Sequence, residues 1–182
     1  MPAKLLPALL LALLATLHAT GPAAAQPAPA ATTLPQPDRT TASYGDWVLR
    51  CDLKAGGERF CEVAQTIQDT QGAVLAQVTA RRAAPGGPLL LTVQVGTNIA
   101  IPEPIRIIAD EPAALNLAFR RCLPRGCFAE LQVPDSDAIA FAQRAEAARL
   151  DYRSADGTAL SIPISLRGLA ASLEALKVAE RA

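Results

Sequence analysis

From residue 44 onward, apolar and polar residues alternate along most of this chain. In Trp47-Val-Leu-Arg-Cys51 the odd positions share one face, the period-two signature of a half-buried strand. Residues 60–67 repeat it with Cys61, Val63, Gln65 and Ile67 in phase, and residues 73–81 repeat it again. Leu89–Val95 is apolar at every odd position and reads as a central strand. Residues 105–109 are short and β-branched. Leu115, Leu117 and Phe119 alternate into Cys122, and Ala129, Leu131 and Val133 alternate after Cys127. Leu160, Ile162 and Ile164 line the inner side of a strand over 158–166. Turn formers separate these runs: Lys54-Ala-Gly-Gly57, Asp69-Thr-Gln-Gly72, Pro85-Gly-Gly-Pro88, Asp110-Glu-Pro112 and Asp156-Gly157. Pro102 and Pro104 exclude a central strand from 96–104. Two segments switch to helical spacing. One runs over 135–147 behind a capping Asp135-Ser-Asp; the other places Leu169, Leu173 and Leu176 on one face. About nine short strands with turn signals every 8–12 residues and two minor helices predict an all-β, antiparallel β-sandwich over 44–178, followed by a tail at 179–182.

The N-terminus belongs to a different regime. Lys4, the apolar stretch 5–17 and Ala23-Ala-Ala25 have the layout of a signal peptide cleaved after Ala25, with 1–25 removed. The apolar stretch is shorter than the roughly 20 residues a membrane span needs, and no such stretch follows Gln26. Residues 26–43, rich in Pro, Ala and Thr, read as a disordered leader. Export to the periplasm or beyond is therefore expected. The 17 cationic residues of the chain include Lys4, so removing 1–25 leaves 16 against 17 acidic ones, a net charge of −1. That balance argues against nucleic acid as a partner.

The four cysteines, Cys51, Cys61, Cys122 and Cys127, all follow the cleavage site. An even number in an exported chain reads as two disulfides, with three possible pairings. Ring closure favours sequence neighbours, and Pro124 and Gly126 pre-bend the second pair, so Cys51–Cys61 and Cys122–Cys127 are expected. A zinc site is the competing reading, but the spacing is wrong for paired C-x-x-C ligands and the only histidine, His18, leaves with the signal. Losing His18 also removes the base that Ser-His-Asp and Cys-His nucleophiles require. No phosphate-cradling glycine motif occurs, and no cofactor is expected. What survives as catalytic chemistry is a carboxylate pair, drawn from Asp46, Asp52, Glu58 and Glu62 around the first hairpin, although so few aromatic residues offer poor sugar platforms. Trp47 is in phase with Leu49 and Cys51 and reads as core. Arg81-Arg82 reads as a solvated turn.

Arg120, Arg121 and Arg125 gather around the small Cys122–Cys127 ring. Alternation directs Arg120 outward and Arg121 to the Phe119 side, where it must reach the strand end or a carboxylate; Arg125 sits at the tip. They form either a solvated rim or a binding surface for an acidic partner.

Tyr44-Gly-Asp-Trp-Val-Leu-Arg-Cys51, Cys61-Glu-Val-Ala-Gln65, Cys122-Leu-Pro-Arg-Gly-Cys127 and Leu160-Ser-Ile-Pro-Ile-Ser-Leu-Arg-Gly168, in this order, resemble the invasion-associated locus B family of bacterial exported proteins. The resemblance implies an immunoglobulin-like β-sandwich, two local disulfides, a periplasmic or secreted location and a link to host-cell entry. It transfers no catalytic residues. The chain departs from the family pattern at Asn98-Ile-Ala-Ile-Pro-Glu-Pro104, where a Pro-x-Gly turn is expected. The reading that follows is a non-enzymatic module binding a protein or envelope partner. A carboxylate-based periplasmic hydrolase and an envelope assembly or stress factor are the alternatives.

Overall fold

The computed structural model of the protein describes residues 37–181; the stretch read above as a signal peptide, and the expected leader through residue 36, lie outside the described residues. Ten strands and two helices follow in the order β1 (Arg39–Tyr44), β2 (Trp47–Leu53), β3 (Arg59–Gln68), β4 (Val74–Arg82), β5 (Leu89–Val95), β6 (Ile105–Asp110), β7 (Ala113–Leu123), β8 (Gly126–Val133), α1 (Asp135–Ala142), β9 (Ala147–Arg153), β10 (Ala159–Ser165) and α2 (Leu169–Ala179). All pairings are antiparallel, in the spatial order β1-β2-β3-β4-β5-β8-β7-β6-β9-β10.

The sheet is continuous because β7 serves both halves. Its first part pairs with β6, at Ile105↔Leu117, and its second part with β8, at Ala118↔Glu130. A strand that passes from one layer to the other forms the corner about which a sheet folds onto itself. The inner faces then meet. Trp47, Val78 and Leu91 from one half approach Ile107 and Ile164 from the other around a narrow apolar seam, closed by Phe141 of α1 and Leu173 of α2. One hydrophobic cluster joins both halves and both helices.

Period two is obeyed where both layers press on a strand. Trp47, Leu49 and Cys51 are buried in phase, and so are Leu89, Leu91, Val93 and Val95 of the central β5. Helix α2 buries Leu169, Leu173 and Leu176 and lies against α1, β2 and β3. The antiparallel all-β class and both helices agree with the sequence reading.

Four boundaries differ. Residues 39–43, assigned above to the leader, form β1, which pairs with β2 from Arg39↔Asp52 to Tyr44↔Trp47. This edge strand is exposed at five of its six residues, so it carries no apolar alternation to betray it. The first helix ends at Ala142, not 147, because Ala148 and Leu150 are buried in alternation in β9, which pairs with β6 and β10. Strand pairing overrides the helix propensity of an Ala-rich segment there. Asp135 does not cap that helix; Pro134 holds the N-cap position, and the Asp135 carboxylate is taken by Arg82. The tail also shrinks, since Ala179 ends α2 and Glu180 forms an ion pair with Arg82.

Both expected disulfides are present, Cys51–Cys61 and Cys122–Cys127, and no described cysteine is free. Each joins directly opposed residues of a hairpin. Closing loops of 10 and 5 residues, they restrict the unfolded chain by about 2.7 and about 2 kcal/mol in the chain-entropy model. Replacing Cys122 and Cys127 together by alanine is thus expected to lower unfolding free energy by about 2 kcal/mol, and the Cys51–Cys61 pair by somewhat more. Urea titration of the two variants checks both the size and the order.

Candidate functional site

The ring and the first hairpin lie at opposite ends of the strands. Cys127 is aligned with Val95 and Ala76, whereas Arg82 is aligned with Leu89 and Val133. The six residue steps of β5 between these rows separate them by about 20 Å.

At the ring end, β7 carries a bulge between Phe119 and Arg121, so that Phe119 faces Ala129 but Arg121 faces Phe128. The extra residue reverses the alternation that follows it. Arg121 therefore joins Phe128 and Glu130 rather than the Phe119 side expected above. Its Nη1 donates to Glu130 Oε1 at 2.9 Å, and its guanidinium lies 5.0 Å from the Phe128 ring centroid. Arg120 and Arg125 are exposed and form no ion pair with a described residue. Gly126, at φ +144°, fixes the tip, since a Cβ there would stand 2.3 Å from the Val95 carbonyl oxygen. The Gln94 side chain donates to the Arg125 carbonyl at 2.9 Å. The three arginines thus divide: Arg121 is committed to the fold, and Arg120 and Arg125 are left available.

Residues from three of the quoted motifs meet in one clasp between the β1–β2 turn, with Gln65 of β3 beside it, and the junction of β10 with α2. The Trp47 indole N–H donates to the Ser165 carbonyl at 2.9 Å. Gln65 exchanges hydrogen bonds with the Ser165 backbone, donating from Nε2 at 3.2 Å and accepting the Ser165 N–H at 3.2 Å. The Asp46 N–H donates to the Arg167 carbonyl at 3.2 Å, while the Arg167 guanidinium donates to the Asp46 carboxylate at 2.9 Å. Hydrogen bonds from Ser165, then from Arg167, hold the Asp46 carboxyl below the usual carboxylate range. Gly45 and Gly168 let the two backbones touch. These signature positions are structural.

The sequence reading missed the main feature of the opposite end. The β2–β3 turn, the β4–β5 turn and the end of α2 surround an open cleft of about 550 Å³. Lys54, Arg59, Arg81, Arg82, Lys177 and Arg181 line it against only two acidic residues, Glu58 and Glu180. Arg82 is anchored, its side chain 13% exposed, by Asp135 at 2.6 Å, Glu180 at 2.5 Å and the Gly87 carbonyl at 2.6 Å. It is a half-buried hub, not part of a solvated turn. Its carboxylate partners push the guanidinium upward, and the hydrogen bond from Arg82 leads in holding Asp135 below its ordinary value. The other five cations have no ion pair with a described residue. Lys54 and Arg81 instead sit over the Phe60 ring, at 4.5 and 5.8 Å from its centroid. One signal was available: beyond residue 25 the only lysines are Lys54 and Lys177, and both come to this cleft.

Three of the four carboxylates considered for catalysis are committed elsewhere. Asp46 pairs with Arg167, Asp52 with Arg39 and Glu62 with Arg50. Glu58 alone faces the cleft. No cluster of metal-ligating side chains occurs among the described residues, and no described helix is long and apolar enough to cross a membrane.

A folded-over antiparallel sheet with two hairpin disulfides and a helical clasp defines the class of protein. The chain belongs to the Invasion associated locus B (IalB) family, whose model matches residues 47–177. Its fold is similar to the crystal structure of invasion associated protein B from Bartonella henselae, with a TM-score of 0.67 and 20% identity over 79% of this chain and 99% of that one. No curated protein matches the chain.

Proposed function

We propose that the protein is an exported, non-enzymatic binding module of the bacterial envelope, engaging an acidic partner and serving the invasion-associated setting that gives its family its name. One observation carries this reading: the cations without ion pairs are concentrated in one place, whereas most of those elsewhere are paired. Of the ten cationic residues among the described ones outside the cleft, seven are ion-paired, leaving Arg106, Arg120 and Arg125. Inside the cleft only Arg82 of six is paired. Gathering like charges without partners is unfavourable for folding, so its presence fits a ligand that supplies the missing charge. Two hairpin disulfides suit an oxidising compartment, which supports export. The hydrolase alternative would need two free carboxylates facing a substrate, and three of its four candidates are held by arginines.

A photoreactive residue placed at Arg125 or at Arg59 in the producing bacterium tests the reading. It is expected to give a discrete adduct with one envelope component, absent when the probe is moved to exposed Ala140 of α1. Arg125→Glu is expected to weaken capture at the ring end without moving the melting temperature. The reading fails if neither position gives an adduct, or if Ala140 gives the same one. Turnover of envelope glycan fragments that disappears in Glu58→Gln would establish the hydrolase instead. A membrane-integrity defect on deletion, without host cells and without an adduct, would establish the assembly or stress factor.

A further inference from the structure

We infer that the cleft between the β2–β3 turn, the β4–β5 turn and the end of α2 is a binding site for a compact ligand carrying at least two phosphate groups, such as a sugar bisphosphate. This deepens the binding-module reading and rests on it.

Charge sets the ligand's valence. Six cations face Glu58 and Glu180, and Asp135 reaches in to Arg82 from outside the lining, leaving an excess of about three positive charges in one cleft. The whole chain carries 17 cationic and 17 acidic residues, so with six and two of them in the cleft, the remaining 11 and 15 leave everything else net negative. An anion is therefore drawn to this end and repelled from most others. A phosphate monoester brings nearly two charges and three acceptor oxygens near neutral pH. Two of them on a small scaffold match the excess; a single carboxylate does not.

Geometry sets the size. About 550 Å³ falls in the range of small-molecule sites. The free cations come from three separate elements: Lys54 and Arg59 from the first hairpin, Arg81 from β4, and Lys177 and Arg181 from the C-terminal end of the chain. They surround a compact ligand from several sides, whereas a flat acidic protein face would meet only one rim. The frame is also held in place. The Cys51–Cys61 bond borders the cleft, Arg82 ties β4 to α1 and to Glu180, and Phe60 supports Lys54 and Arg81 from beneath. Little ordering of the protein remains to be done on binding.

The phosphates can belong to a soluble sugar or to the headgroup of a glycolipid; the chemistry at the cleft is the same, and the test separates them. The protein purified from the producing bacterium is titrated calorimetrically at low salt with glucose 1,6-bisphosphate, glucose 6-phosphate and citrate. Binding of the bisphosphate is expected, at least roughly tenfold tighter than of the other two, and weakening as salt is raised. The pair Lys54→Ala with Lys177→Ala, and separately Arg59→Ala, are expected to weaken it by roughly tenfold or more, since each removes charge-assisted contacts. Arg106→Ala, which removes an exposed cation of β6 outside the cleft, should leave it unchanged. All three sets replace side chains without ion pairs, and equal melting temperatures confirm intact folding. Binding to phosphatidylcholine vesicles doped with a bisphosphorylated glycolipid, lost in the same cleft variants, assigns the headgroup as the source; binding of the free sugar alone assigns a soluble one. The inference is overturned if the bisphosphate does not bind at low salt, if the monophosphate or citrate binds as well, or if the cleft variants bind like the parent. Failure here with an intact Arg125 adduct leaves the binding-module reading standing and removes only this site.

Discussion

Gly168→Ala is expected to destabilise the protein by about 3–5 kcal/mol, against about 1–2 kcal/mol for Gly157→Ala. The two glycines share the same φ, +87°, so the backbone strain of a side chain in the left-handed region is common to both. Their surroundings differ. A Cβ on Gly157 meets nothing within 4 Å, whereas one on Gly168 would stand 2.0 Å from the Tyr44 carbonyl oxygen and 2.4 Å from its carbon. Gly45 makes the reciprocal approach, its added Cβ falling 2.6 Å from the Arg167 carbonyl oxygen. Relief would require the hairpin turn and the start of α2 to separate. That movement strains the Asp46–Arg167 backbone bond, the Trp47–Ser165 bond and the Gln65 bonds together, because all span the same gap. Urea titration of the two variants isolates the close approach from the strain. Equal losses would show that the clasp is loose enough to yield.

The clasp also explains which parts of the fold were legible in the sequence. Alternation reports burial on one face of a strand, so the odd positions of β5, between β4 and β8 in the middle of the sheet, could be read, although Leu90 on the other face is buried as well. β1 could not, because its residues contribute backbone hydrogen bonds at an exposed edge and little apolar surface. The same limit hid the turn in the fate of Arg121. A bulge adds one residue to a strand without changing its composition, and the side-chain facing inverts from that point. Both disulfides were readable because ring closure depends mainly on separation along the chain. The basic cleft was not. Lys54, Arg81 and Lys177 belong to three elements far apart in sequence, and only the packing of α2 against β2 and β3 brings them together. Arg82 shows why a charged dipeptide next to a Pro-Gly-Gly-Pro turn is a poor guide: its neighbour Arg81 remains unpaired while Arg82 pairs with Asp135, 53 residues away, and Glu180, 98 residues away.

Arg82→Met is expected to destabilise the protein by about 2–3 kcal/mol at neutral pH, and by progressively less in acid. Methionine fills much of the same volume but donates no hydrogen bonds. The loss would leave the Asp135 and Glu180 carboxylates, only 26% and 20% exposed, without their common cation and close to one another. The Gly87 carbonyl would lose a donor as well, loosening the β4–β5 turn. The pH dependence follows from Asp135. In the folded protein the hydrogen bond from Arg82 holds its carboxyl below the unfolded value. A depressed carboxyl contributes stability that is fully present above the unfolded value, about 3.9, and is lost as pH falls through the folded one. Without Arg82 that depression loses its leading cause, while burial and the neighbouring carboxylate favour the protonated form. The parent should therefore lose stability on acidification below about pH 4 more steeply than the variant, and the gap between their unfolding free energies should narrow there. Urea titrations of both proteins at neutral pH and through the acid range measure this directly. A gap that stays constant with pH would mean that Arg82 acts through packing alone, and a small gap at neutral pH would mean that the two carboxylates find other partners when the hub is removed.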